Sequence, residues 1–171
     1  MRRLAALAAA LALGAGCASS RPELPPRRGH LAALQLPPVA EAPYAPAVGA
    51  LEGRVVLVAF VATWCLPCIA QLPTLDSLQK ELGPQGLRTV AVGMDLDGEQ
   101  VLAPFAEYYA LPYPLVVASE PLRTGESPYG RVTSLPTFFL LDRRGEPLGA
   151  WEGIAGQEQL ERAVRKALKT Q

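Results

Sequence analysis

The chain reads as an α/β domain: a mixed central sheet with helices on both faces and an inserted helix–strand unit. Three observations lead there. Two apolar runs, Val55–Ala62 and Leu87–Met94, have strand length, and a segment of helical periodicity follows each. That alternation is what parallel strands with crossover helices require. Near the C-terminus the turn sequence Arg143-Arg144-Gly145-Glu146 separates two strand-like segments, which adds an antiparallel hairpin.

Composition fits one domain. The chain has 171 residues, half of them apolar, and a formal net charge of zero. That length can bury a real core, and the charge balance gives no footing for nucleic acid. One histidine, His30, and three scattered cysteines, Cys17, Cys65 and Cys68, do not furnish four tetrahedral zinc ligands in one place. No metal or cofactor is expected.

The N-terminus has the pattern of an export signal. Met1-Arg2-Arg3 is a basic start, and Leu4–Leu13 is an apolar run of ten residues, too short to span a bilayer as a helix. Gly14-Ala15-Gly16 then leads to Cys17. This resembles a bacterial lipoprotein signal, in which cleavage leaves a lipidated cysteine, here Cys17, as the new N-terminus; ordinary signal cleavage is the alternative. The pattern departs in one place, since Gly14 stands where a leucine is usual. Removing residues 1–16 takes away Arg2 and Arg3, which leaves 14 basic against 16 acidic residues, a net of about −2. Residues 17–48 are expected to be a semi-extended tether, because Ala18 to Val48 carries seven prolines and proline is excluded from helix interiors and central strands. His30, inside it, is given no role. The folded domain is expected over residues 49–171.

The remaining elements follow in order. Val55–Ala62 lacks the alternation of a half-exposed strand, so it is read as a central strand covered on both faces. Ile69 to Leu82 is helical, with Leu72, Leu75, Leu78 and Leu82 on one face, a kink at Pro73 and a stop at Gly83-Pro84. Leu87–Met94 is a second buried strand. Asp97–Tyr109 is a helix broken or bent at Pro104, and Asp95-Leu96-Asp97-Gly98-Glu99 before it is a strand-end turn with a helix cap. Pro112–Ala118 is a short strand, Ser119–Tyr129 loop or short helix, and Thr137–Asp142 with Pro147–Trp151 the hairpin. Gly156–Lys169 is an amphipathic helix.

Cys65-Leu66-Pro67-Cys68 stands where the first strand meets the first long helix. Two cysteines at this spacing close and reopen a small disulfide. A helix N-terminus carries partial positive charge and unpaired N–H groups, both of which favour thiolate over thiol. A purely structural disulfide is a poor alternative, since so short a loop gains little from closure.

These residues resemble the TlpA-like thioredoxins, a family of exported thiol–disulfide oxidoreductases, over roughly Leu51–Lys169. Val55 to Cys68 resembles the family's strand and active-site signature, and Pro73 its helix-kinking proline. Tyr129 to Asp142 resembles its second signature, whose proline, here Pro136, is cis. The resemblance implies a thioredoxin fold and a redox-active Cys65–Cys68 disulfide. Cys65, partly exposed, is the nucleophile and Cys68 the buried resolving thiol. Trp64, Leu135 and Pro136 contact substrate, Trp64 also shielding the cysteines, while Leu66 and Pro67 tune the thiolate. The implied partners are a disulfide-bearing protein substrate and a membrane thiol-transfer electron donor. The implied location is the periplasmic side of the cell envelope, on a lipid anchor. Two departures stand out: Ala59 and Gln71 occupy positions where the family often places an aspartate and a glutamate. Neither can accept a proton, which leaves water or another acid such as Asp95. A non-catalytic lipoprotein of the same fold, binding or scaffolding an envelope partner, is the alternative function.

Overall fold

The computed structural model describes residues 29–39 and 51–170. The expected signal peptide at 1–16, Cys17 and the remainder of the expected tether lie outside the described residues.

Five strands form one sheet in the order β3-β2-β1-β4-β5. They are β1 (Val55–Val61), β2 (Leu87–Gly93), β3 (Leu115–Val117), β4 (Thr137–Leu141) and β5 (Pro147–Glu152). β1 pairs parallel with β2, Val55 opposite Leu87 through Val61 opposite Gly93, and antiparallel with β4. β2 and β3 are parallel; β4 and β5 form the hairpin. Every residue of β1 is buried, as a strand with neighbours on both sides and cover on both faces must be.

The two parallel crossovers explain where the long helices sit. α2 (Leu66–Leu82) links β1 to β2, and α3 (Glu99–Tyr108) links β2 to β3. Both steps run in the same direction across the sheet, and both crossovers are right-handed by the usual rule, so both helices fall on one face. α5 (Gln157–Lys169) joins them there. Val55, Leu57, Ala59 and Val61 point into this layer and meet Leu72, Leu75, Leu78 and Leu82 of α2, Leu102 and Phe105 of α3, and Leu160, Val164 and Ala167 of α5. Gly93 has no side chain where Leu102 presses on β2, which lets α3 close on the sheet. Pro73 and Pro104 sit inside α2 and α3, and both helices continue through them. The break considered at Pro104 does not occur.

The other face is covered unequally. α1 (Gly29–Ala32) and α4 (Glu120–Thr124) are one turn each, so the second layer is mostly loop. Val56, Val58 and Phe60 of β1 meet Leu31, Leu34, Leu122 and Tyr129 there. Residues 29–39 therefore do not belong to an extended tether as the proline count suggested. Leu34 is fully buried, and the Val39 N–H donates to the Leu115 carbonyl at 2.8 Å. Pro38 bridges Val116 in antiparallel fashion at the outer edge of β3, a position where a strand proline is tolerated. The Tyr129 hydroxyl donates to the His30 carbonyl at 3.0 Å, and the two rings meet edge-to-face at 5.0 Å. The physical reason is the apolar second face of the sheet: three of seven β1 side chains would lie under a thin cover without this segment.

Two outcomes follow. Leu34→Ala is expected to destabilise the domain by about 2–5 kcal/mol, while Gln35→Ala, on the exposed side of the same segment, stays within about 0.5 kcal/mol. Urea unfolding measures both, and equal small effects would show the segment to be dispensable. Burial holds the His30 imidazole below its ordinary 6.5, against smaller opposing effects from Glu146 and the Pro128 backbone. A base depressed in the folded state takes up its proton first in the unfolded chain, so its contribution to stability falls as pH drops through 6.5. The stability difference between the parent and His30→Asn should therefore move against the parent between about pH 7.5 and about pH 5.5. A difference that stays flat over that range would contradict the assignment.

Candidate active site

β1 delivers its C-terminal end to the cysteine pair through a tight turn. The Cys65 N–H donates to the Ala62 carbonyl at 3.1 Å, and the chain enters α2 at Leu66. Cys65 is the N-cap of α2, with extended backbone (φ −87°, ψ 94°), and its Sγ accepts the Cys68 N–H at 3.2 Å. Sulfur here takes the place of the hydroxyl or carboxylate oxygen that usually caps a helix. Pro67 lies in the first turn, where its missing N–H leaves no helical bond unmade. Cys65 and Cys68 are joined in a disulfide, their Cα atoms 5.2 Å apart.

Exposure differs from expectation at two residues. Cys65, expected partly exposed, is only 5% accessible, and Cys68 is fully buried. Trp64, expected to shield the pair, is 71% exposed, and Leu66 is 76% exposed. The turn sends these neighbours outward on either side of Cys65, so they flank the sulfur and leave it at the floor of a cleft.

That cleft has a volume of about 630 Å³. Trp64, Leu66 and Pro67 form one side with Cys65, Met94 comes from the end of β2, and Val132 to Leu135 form the opposite wall. Among the described residues no charged side chain lines it. The Leu135–Pro136 peptide is cis, as the resemblance implied. Leu135 lines the cleft; Pro136 is buried behind it and is not a lining residue. The Pro136 carbonyl accepts the Gly153 N–H at 2.7 Å, and the Thr137 hydroxyl donates to the Ser134 carbonyl at 2.7 Å, which ties the wall to the end of the hairpin. Neither backbone polar group of Leu135 has a hydrogen-bond partner among the described residues. Tyr129, at the start of this loop, stacks edge-on with Phe60 and Phe139, and burial pushes its phenol far above the ordinary value, so it stays a neutral donor.

The two positions that lack a carboxylate are both filled. Ala59 sits in the middle of β1, opposite Ala91 and Phe138, fully buried. Gln71 is 3% exposed, and both ends of its amide are used: Nε2 donates to the Ala155 carbonyl and Oε1 accepts the Ala155 N–H, each at 3.1 Å. A carboxylate could accept the second bond and not make the first, so glutamine is the residue this clamp requires. Asp95 does not cap α3, whose N-cap is Gly98 without a side-chain bond. Its carboxylate instead turns to Thr63, a contact across 32 residues that no local sequence signal discloses.

Set beside known proteins, the chain matches a model of the AhpC/TSA family over residues 46–146. Thiol-disulfide oxidoreductase ResA of Bacillus thuringiensis subsp. konkukian is 30% identical over 117 residues, 67% of this chain and 64% of that protein. Thioredoxin-like protein YneN of Bacillus subtilis is 30% identical over 115 residues, 66% of this chain and 65% of that one. The chain thus spans just under two thirds of the length of these curated relatives. Among solved structures, a thiol:disulfide interchange protein of the thioredoxin family from Chlorobium tepidum superposes with a TM-score of 0.59 at 27% identity, covering 72% of this chain and 86% of that one. StoA from Bacillus subtilis gives 0.57 at 27% identity, covering 66% and 84%. The five-stranded mixed sheet is that of the thioredoxin fold, and the matched region holds both the cysteine pair and the cis-proline loop; the chain belongs to the AhpC/TSA family of thioredoxin-like proteins.

Proposed function

We propose that this chain is an exported thiol–disulfide oxidoreductase that reduces disulfides in protein substrates. The observation that carries the reading is the cap: a cysteine sulfur set at the N-terminus of a long helix, bonded to the Cys68 N–H and open to an uncharged cleft.

In the reduced protein the Cys65 thiolate attacks one sulfur of the substrate disulfide. A Cys65–substrate disulfide forms and the other substrate sulfur leaves as a thiolate. Cys68, deprotonated, then attacks the Cys65 sulfur, closing the Cys65–Cys68 disulfide and releasing the second substrate thiolate. Two electrons pass to the substrate, and the two thiol protons of the enzyme are returned to the substrate thiolates through solvent. Trp64 and Leu66 flank the attacked bond with apolar surface. The unpaired N–H and C=O of Leu135 offer an extended substrate segment two strand-type bonds. Pro136 shapes the wall from behind, and Pro67 withholds one donor from the sulfur.

The second step is the demanding one. Cys68 is fully buried, and burial disfavours the thiolate it must become. Neither Ala59 nor the doubly bonded Gln71 can take its proton, so solvent must, at a cost of about 10²–10⁴ in rate relative to a positioned base. Regeneration by a membrane thiol-transfer donor on the periplasmic side completes the cycle. With Cys17 lipidated, the tether is shorter than the proline count implied.

Catalysed reduction of a protein disulfide, followed by the turbidity of the separated chains, should drop to the uncatalysed background when both Cys65 and Cys68 are replaced by serine. Cys68→Ser alone should accumulate a mixed disulfide at Cys65. Undiminished turnover in the double variant, with the fold intact by circular dichroism, would reject the reading and leave a binding or scaffolding role.

A further inference from the structure

Asp95 lies just past β2, on the segment beside the end of β1. The Met94 N–H donates to the Val61 carbonyl at 2.8 Å, which fixes that segment against the turn. Asp95 is only 4% exposed. Its two oxygens receive the Thr63 N–H at 3.2 and 3.1 Å, and Oδ1 also receives the Thr63 hydroxyl at 2.6 Å. Among the described residues all its side-chain hydrogen bonds thus go to one residue, two positions before Cys65. No cation pairs with it among the described residues. A buried carboxylate without a counter-ion is costly and persists where hydrogen bonds hold it.

We propose that Asp95 is a positioning residue for the cysteine pair: through Thr63 it fixes the turn that presents Cys65, and its negative charge restrains ionisation of that sulfur. The inference rests on the thiol-exchange reading of the same site. Two consequences of the geometry carry it. The hydroxyl and N–H bonds pin Thr63, and the next link, Cys65 N–H to Ala62 carbonyl, closes the same turn. The carboxylate is held on Thr63, two residues before Cys65, and a like charge near a thiolate disfavours it, which opposes the helix N-terminus. Among the described residues no charged side chain lines the cleft, and the carboxylate bonded to a lining residue is that of Glu152, which accepts from the Ser134 hydroxyl at 3.2 Å. On α2 the buried polar side chain, three residues after Cys68, is the neutral Gln71, bonded to Ala155.

The test is the pH dependence of Cys65 alkylation in the reduced full-length chain with Cys68→Ser, read peptide by peptide so that Cys17 does not contribute. Asp95→Asn removes the charge and should raise the thiolate fraction at fixed pH by about threefold or more. Thr63→Val leaves the charge and removes the hydroxyl that offsets it, so the fraction should fall; Thr63→Ser should restore the parental curve. Shifts in opposite directions with rescue by serine support the proposal. Curves that superimpose, or that shift the same way in both variants, overturn it. Should Asp95→Asn not fold, Thr63→Val against Thr63→Ser decides alone. The titration needs no substrate, so a protein that fails to reduce disulfides would refute the proposed function without touching this result.

Discussion

β1 must be covered on both faces, and much else in the structure follows from that. Its seven buried residues alternate between two cores. The right-handed crossovers supply one cover outright, since α2 and α3 are delivered to the same face. The second face gets no long helix from the topology. It is closed by the loop ahead of β4, one turn of α4 and the segment 29–39. The strand that carries the cysteine pair is therefore held by chain from well before the domain, and the same loop that packs on Phe60 through Tyr129 goes on to form the far wall of the cleft. Core packing and cleft shape are set by one set of contacts.

That constraint separates what the sequence disclosed from what it did not. The apolar run 55–62, the leucine row of α2 and the hairpin turn are local periodic signals, and each element lies within a few residues of its expected place. The cysteine pair and the cis proline were legible as motifs. The role of residues 29–39 was not, because seven prolines over 31 residues outweighed three isolated apolar residues, Leu31, Leu34 and Val39, whose partners lie far along the chain. The exposure of Trp64 misled for a different reason. Hydrophobicity argues for burial, but the residue beside an N-cap points where the turn sends it, and this turn sends it out. Asp95 was visible as an acid, yet its partner Thr63 is fixed by strand register, which one sequence does not show.

The missing carboxylates are better understood from the packing than from the chemistry. Ala59 fits between Ala91 and Phe138 on neighbouring strands, where a longer side chain would displace the core. Gln71 joins α2 to the segment that enters α5, and its two bonds satisfy both backbone groups of Ala155 inside the protein. An unpaired buried carbonyl or N–H there would cost about 1–3 kcal/mol. Both positions are thus taken up by packing and backbone bonding, and neither side chain is able to accept a proton.

At the Cys65 sulfur the opposing effects are of similar size. The helix N-terminus favours the anion by about 0.3–1 kcal/mol at an exposed end and up to ~2 in partly buried geometry. The Cys68 N–H adds about 1.5–3 kcal/mol once the acceptor is charged. Near-complete burial acts against the anion, and so does the charge of the Asp95 carboxylate, which is bonded to Thr63 two residues before the sulfur's own residue. A shift of 1.36 kcal/mol changes the ionisation equilibrium tenfold, so no single effect decides the outcome. The balance responds instead to whichever group is held most rigidly. Three hydrogen bonds to one residue make Asp95 such a group, and the turn they fix determines how far the helix end and the buried carboxylate stand from the same sulfur.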